Sequence, residues 1–387
     1  MKVTSVRAIC GSRMHEPSEQ WLTWVYRSVK ADIAVVVIET DDGQVGMGEA
    51  CAYGNPRLIA DWVAWLEPTL LGRDVEDPEV VPRPIGTEMS GDRNSAYDFA
   101  VAGIDTAIWD LRGKNRGTQV RHLLNPNPDS DVKTYASGGV KYDWARSPET
   151  LVDDVRTYVE SGYDQIKIRL GTAWEWDRIG PTDFLRLFDL VREGVGPNIA
   201  IAVDANCRLN RDDARTLALG LQERGASWLE EPLDKGDLEG YSALAKELEM
   251  PISGGESLTT LAQFRTILEL EALDIVQPDV GMCGISEAMK IGELAARHGV
   301  QLIPHSWHNG LMAVANAHVV AALGNAPMVE ECMVQGPLKW GVIEGGTKVT
   351  AGRLQFGSDP GLGVKLVEDL EKTYPYIEGH YSVTVTR

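Results

Sequence analysis

The chain has 387 residues, 57 of them acidic and 37 basic, for a formal net charge of -20 at pH 7. Lys and Arg are nowhere clustered, which argues against a phosphate-neutralising nucleic-acid surface. No apolar run approaches the roughly 18 to 20 residues of a spanning helix, and MKVTSVRAICGSR lacks the order of a signal peptide, so a cytoplasmic protein without nucleic-acid or membrane partners is expected.

Five cysteines (Cys10, Cys51, Cys207, Cys283, Cys332) are far apart and form no C-x-x-C, so neither a disulfide framework nor a thiolate zinc site is expected, and the thiols are read as reduced and buried. Near the N-terminus, ADIAVVVIETDDGQVGMGEA reads as two strands around the turn DDGQ. AYDFAVAGIDTAIWDLR, Ala96 to Arg112, then shows helical apolar spacing.

From about Asp131 the rhythm changes to eight short apolar runs: VKTYASG, YDQIKIRL, NIAIAVDAN, ASWLEEP, PISGGES, LDIVQPD, VQLIPHS and APMVEE. Amphipathic helices lie between them, such as SPETLVDDVRTYVESG and DDARTLALGLQERG. Strand and helix alternating eight times point to a (β/α) barrel. In the tail, SDPGLGVKL and YSVTVTR read as a turn and a strand returning to the N-terminal part.

Barrel chemistry sits at the C-terminal ends of the strands. Reading those ends gives Lys167 and Arg169, Asp204 and Asn206, Glu230, Glu256, Asp279, His305 and Glu330. Lys167 and Arg169 share a strand face, which points them together at something anionic. Asp204, Glu230 and Glu256 recur at intervals of 26 residues. Any one of them alone would read as a solvated strand end. Three acids converging from consecutive strands would repel one another, and a divalent cation resolves that conflict. An all-oxygen ligand set favours Mg²⁺ over zinc. Glu231 is read as structural. His305 follows an apolar run, and Asp279 ends the run before it, so the carboxylate can fix the imidazole tautomer and raise its basicity. His122, His298 and His318 read as core or surface histidines, while His308 either lines or covers the pocket.

These residues carry a resemblance. KIR, DAN, EEP, GGES, QPD and PHSW, in that order, are similar to the mandelate racemase subgroup of the enolase superfamily, and ETDDGQVGMGEA, AGIDTAIWDLRGK and DPGLGV extend the likeness over nearly the whole chain. The resemblance implies an N-terminal α+β capping domain (residues 1–130, completed by the tail 356–387) over a modified TIM (β/α)₇β barrel (residues 131–355). It further implies Mg²⁺ on Asp204, Glu230 and Glu256, an Asp279–His305 base dyad, and Glu330 hydrogen-bonded to the substrate carboxylate. The implied step removes the proton α to a carboxylate, giving an enediolate, and the implied assembly is a homo-oligomer. Asn206, Trp307, His308 and His15 complete the expected substrate-facing set, with the loops Gly11 to Tyr26 (including Trp21 and Trp24) and Tyr53 to Arg57 setting specificity.

One position departs from the pattern. Racemases of this subgroup carry a second lysine as the opposing base, and here that position is Arg169, whose guanidinium stays protonated. Two-base racemisation loses a partner, whereas one histidine can still take the α-proton and return it to a β-hydroxyl leaving on the same side. The expected activity is therefore dehydration of an acid sugar to a 2-keto-3-deoxy acid, catalysed by His305 and Asp279 with Lys167 and Arg169. A sugar-acid lactone cycloisomerase, a racemase or epimerase, and a catalytically silent scaffold are the alternatives.

Overall fold

The computed structural model describes residues 1–22, 26–52, 55–85, 96–140, 147–170, 180–307, 309–334 and 336–384. The N-terminal strand Val3–Met14 pairs antiparallel with Lys30–Thr40, which pairs in turn with Val45–Ala50 across the expected DDGQ turn. The helix Ala96–Asn115 lies on this sheet. Gly46 and Gly48 permit that approach, because a Cβ at either position would fall 2.4 Å from Ala107 O or 2.3 Å from Gly103 O.

Eight further strands form the barrel. The first seven are Asp131–Ser137, Gln165–Arg169, Ala200–Asp204, Leu229–Glu230, Ile252–Gly254, Ile275–Val276 and Gln301–Leu302, each pairing parallel with the next. The eighth, Val329–Cys332, pairs parallel with the first and brings the array round on itself. All eight apolar runs contain a strand, but the fourth to seventh strands shrink to two or three residues, and the loops after the fifth, sixth and seventh carry Glu256, Asp279 and His305. Among the described residues seven helices connect the strands, while the short helices Pro337–Trp340 and Leu370–Thr373 follow the eighth. The helix Arg211–Glu223 buries Ala214, Leu217, Ala218 and Leu221, the stripe its spacing predicts.

The tail behaves as expected. SDPGLGVKL turns at Gly361 and Gly363, where positive φ permits it, and its Leu362 N–H donates to Asp110 in the N-terminal part, while Lys365–Leu366 pairs with Ile343–Glu344. Ser382–Thr384 adds a strand to the N-terminal part, on Tyr26–Ser28. One expectation needs correcting. None of the five cysteines forms a disulfide, but Cys10 and Cys207 are only partly buried, Cys10 on the strand Val3–Met14 of the cap sheet and Cys207 in the loop after Ala200–Asp204.

A buried acid joins the two parts of the fold. Glu49, on Val45–Ala50, accepts from Asn309 Nδ2 at 2.8 Å and from Met312 N–H at 3.0 Å, so it closes the N-terminus of the barrel helix Gly310–Ala322. Burial raises its pKa more than Asn309, Met312 and Lys339 lower it, pushing it from 4.5 up to about 7. Between those values the folded protein keeps a proton that the unfolded chain has lost, so stability is full below the unfolded pKa and falls as pH rises through about 7. In urea unfolding from pH 5 to pH 8, wild type is expected to lose on the order of 3 kcal/mol more than Glu49→Gln. Equal losses in the two proteins would show that Glu49 does not titrate in this way.

Candidate active site

Strand register assembles the centre. Arg169 lies opposite Asp204, and Asp204 opposite Glu230, on adjacent strands, so these side chains form one row at the mouth of the barrel. Lys167, two residues before Arg169 on the same face, packs against Tyr135 with its ammonium 5.7 Å from the ring centre. Tyr135 and Trp228 meet edge to face at 5.3 Å and, with Ala202, Ile275 and Ile303, fill the interior below the centre.

Lys167 is almost wholly buried and held by two acids, Glu230 and Glu330, the latter at 3.1 Å. Burial alone would lower its pKa, but Glu230 and Glu330 outweigh that and hold it well above the ordinary lysine value. Lys167 is therefore a fixed cation. Glu330 also accepts the Ser306 N–H at 2.7 Å. Burial would raise the Glu330 carboxyl, yet Lys167 and His305 prevail and keep it far below the usual carboxylate range. Glu230 receives Gln277 Nε2 at 2.6 Å and Trp228 Nε1 at 3.2 Å on its other oxygen.

Arg169 places Nε 3.4 Å from Asp204 Oδ2 and stacks over Trp307 at 4.1 Å. Burial works against its charge, but Asp204 and Glu256 raise its pKa above the ordinary arginine value. Asn206 is turned back onto Asp204, donating N–H to Oδ1 at 2.8 Å and Nδ2 to Oδ2 at 2.9 Å. Asn206, Cys207 and Glu231 all adopt positive φ (48°, 57° and 40°), placing strained backbone in the loops after the third and fourth strands. Glu231 is buried and accepts from Cys207 Sγ at 3.1 Å.

The structure brings His305 and Asp279 together. His305 Nδ1 meets Asp279 Oδ2 at 2.7 Å, and Nε2 lies 3.6 Å from Glu256 Oε2. Burial would lower the imidazole pKa, but Glu256, Glu330 and Asp279 push it up to about 10. A cation on Glu256 would relieve part of that rise.

The three expected metal ligands differ in setting. Asp204 and Glu230 lie side by side, each contacting a strand-two cation, while Glu256 faces His305. Among the described residues no three His, Cys, Asp or Glu side chains enclose a metal-sized space as they stand. As the side chains stand, Glu230 pairs with Lys167 and Asp204 with Arg169, which compensates charge in a buried mouth. Of the remaining expected residues, Trp307 and His15 line a cavity of about 100 Å³ above the centre. His308, Trp24 and Tyr53 fall outside the described residues.

Sequence reading missed Asn316. From a helix whose other residues, His318 apart, are apolar or small, its Nδ2 donates to Asp279 Oδ1 at 3.3 Å and to His305 O at 3.2 Å, and its Oδ1 accepts Val280 N–H at 3.0 Å. One fully buried amide therefore ties both members of the dyad. The available signal was a lone Asn within GLMAVANAHVVAA. Gln277 and Trp228 each precede a site acid by two residues, a same-face spacing that marks them too.

Comparison with known proteins agrees with this geometry. Residues 8–125 match the model of the mandelate racemase / muconate lactonizing enzyme N-terminal domain, and residues 150–370 match that of the enolase C-terminal domain-like family. The chain belongs to the mandelate racemase-like branch of the enolase superfamily. It is 34% identical over 346 residues to arabinonate dehydratase of Saccharolobus solfataricus, covering 89% of this chain and 90% of that one. It is 29% identical over 383 residues to D-galactarolactone cycloisomerase of Agrobacterium fabrum, covering 95% and 97%. The crystal structure of the 3,6-anhydro-D-galactonate cycloisomerase from Zobellia galactanivorans superimposes with a TM-score of 0.83 at 28% identity, covering 97% of this chain and 99% of that one. The fold is the capped, modified TIM barrel of that superfamily, and the chain is an enzyme.

Replacing Asn316 with leucine, which has the same branching and number of heavy atoms, would take the acceptor from the buried Val280 N–H, a donor from His305 O, and one of the two bonds accepted by Asp279 Oδ1, leaving it the Gly281 N–H. Urea unfolding at pH 7 is expected to show a loss of about 3 kcal/mol. A loss under roughly 0.5 kcal/mol would show that Asn316 does not hold the dyad.

Proposed function

We propose that this enzyme dehydrates an acid sugar. The observation carrying the proposal is the contrast between His305, an imidazole oriented by Asp279 at 2.7 Å, and Arg169, which stays charged where a second base would be needed. His305 Nε2 takes the α-proton while Nδ1–H remains on Asp279. The electron pair moves into the carboxylate to give an enediolate, and positive charge from Lys167 and Arg169 favours that anion where it develops. His305 then returns the proton to the β-hydroxyl, the C–O bond breaks, water leaves, and the enol ketonises to a 2-keto-3-deoxy acid.

Asp204, Glu230 and Glu256 would hold the divalent cation. Their hard oxygen donors suit Mg²⁺, and Glu256 Oε2 is buried without a hydrogen-bond partner. Burial raises Asp204 and Glu230, so their ionised forms depend on nearby positive charge. When bound, Mg²⁺ would supply Lewis-acid stabilisation of the substrate carboxylate.

A second reading, a lactone cycloisomerase, draws on the likeness over nearly the whole chain to a D-galactarolactone cycloisomerase and to a 3,6-anhydro-D-galactonate cycloisomerase. There the β-leaving oxygen belongs to a ring and no water is lost. Incubation with Mg²⁺ and a panel of acid sugars is expected to yield a 2-keto acid that reacts with semicarbazide and is lighter than its substrate by one water. An unchanged mass would favour the cycloisomerase, and turnover surviving complete chelation would contradict the metal assignment. His305→Asn is expected to lower turnover at least about 1,000-fold, and full activity in that variant would remove the dyad from the mechanism.

A further inference from the structure

The cavity of about 100 Å³ lies on the capping side of the reaction centre. Its barrel wall is Trp307, two residues beyond His305, and Cys332, two residues beyond Glu330 on the eighth strand. Its other wall comes from the cap and tail, with Trp21, Ser28, Asp32 and Tyr381. Trp21 meets Trp307 edge to face at 5.8 Å, so aromatic surface runs directly from the Arg169 stack into the cavity. The space admits several water-sized groups, enough for a short hydroxylated chain.

In this lining Ser28 Oγ and Asp32 Oδ2 are buried with no hydrogen-bond partner. Ser28 is 0% exposed and the Asp32 side chain 3%. Asp32 uses only its other oxygen, which accepts from Ser12 Oγ at 2.6 Å and meets Lys30 at 3.2 Å. Unsatisfied buried oxygens of this kind are costly, and a ligand hydroxyl would satisfy both.

The cations that line the cavity among the described residues are already compensated. Lys30 pairs with Asp32 and donates to the carbonyls of Ile377 and Gly379, both at 2.6 Å; Arg13 pairs with Glu19 at 3.1 Å; Lys339 lies 3.9 Å from Glu331. A second substrate carboxylate entering here would meet no uncompensated positive charge among them and would face the acceptor oxygen of Asp32. Resting on the acid-sugar reading above, we infer that this cavity is the subsite for the substrate's uncharged polyhydroxy tail, so that the enzyme selects an aldonate, with its neutral hydroxymethyl end, over the matching aldarate.

The test is calorimetric titration of the full chain in Mg²⁺ with each hexonate, its matching hexarate, and glycerate, which has no tail. The hexonate is expected to bind at least about 100-fold tighter than its hexarate. Asp32→Asn is expected to weaken hexonate binding about tenfold and narrow the ratio, because Lys30 is left with excess charge, while glycerate binding stays the same. A hexarate bound as tightly as the hexonate, or an unchanged ratio in Asp32→Asn, would overturn the inference. If Asp32→Asn does not fold, Ser28→Ala must weaken hexonate but not glycerate, and an equal effect on both would count against the subsite. Selective, Asp32-dependent hexonate binding without 2-keto acid formation would keep the subsite and reject dehydration. Hexarate preference with 2-keto acid formation would do the reverse.

Discussion

A lysine ammonium buried to 1% exposure in the throat of a barrel can exist only if acids surround it. Lys167 meets that requirement with Glu230 and Glu330, contributed by the fourth and eighth strands. This triad spans the barrel from one strand to its distant neighbours, and much of the centre follows from it. Glu230 needs Trp228 and Gln277 to complete its hydrogen bonds, and Glu330 takes the Ser306 N–H, which anchors the loop that carries His305. Removing any member would leave an uncompensated charge in a site with little water.

The same constraint separates the two cations of the second strand. Lys167 is enclosed by carboxylates, whereas Arg169 leans on Asp204 and spreads its planar face over Trp307. A guanidinium suits that stacked position and an ammonium would not replace it. In the proposed reaction, proton movement is left to His305, whose orientation is over-determined by Asp279 on one nitrogen and by Asn316 holding both the Asp279 carboxylate and the His305 carbonyl.

Much of this was legible in the sequence because strand periodicity and barrel geometry act locally. Eight apolar runs located the strands, and the residues ending them included both members of the dyad and the cations that face the mouth. Less legible was which charge would pair with which. Asp204, Glu230 and Glu256 read as one cluster, but register sets Arg169 beside Asp204 and Lys167 reaches across to Glu230, a three-dimensional outcome that spacing cannot specify. Long-range partners were hidden for the same reason. Asn316 lies 37 residues from Asp279, and Glu49 lies 263 residues from the Met312 amide it caps. Ser28 and Asp32 looked like ordinary strand residues until the cap was folded over Trp307.

The central claim is that one base, His305, serves one face of the α-carbon. Partial turnover in D₂O with Mg²⁺, followed by stereochemical analysis of recovered substrate, addresses it most directly. The result predicted is deuterium at Cα with configuration unchanged, lost in His305→Asn and joined by epimerised substrate only in Arg169→Lys. Epimerised substrate from the wild-type enzyme would contradict the claim, because it requires a second base on the opposite face.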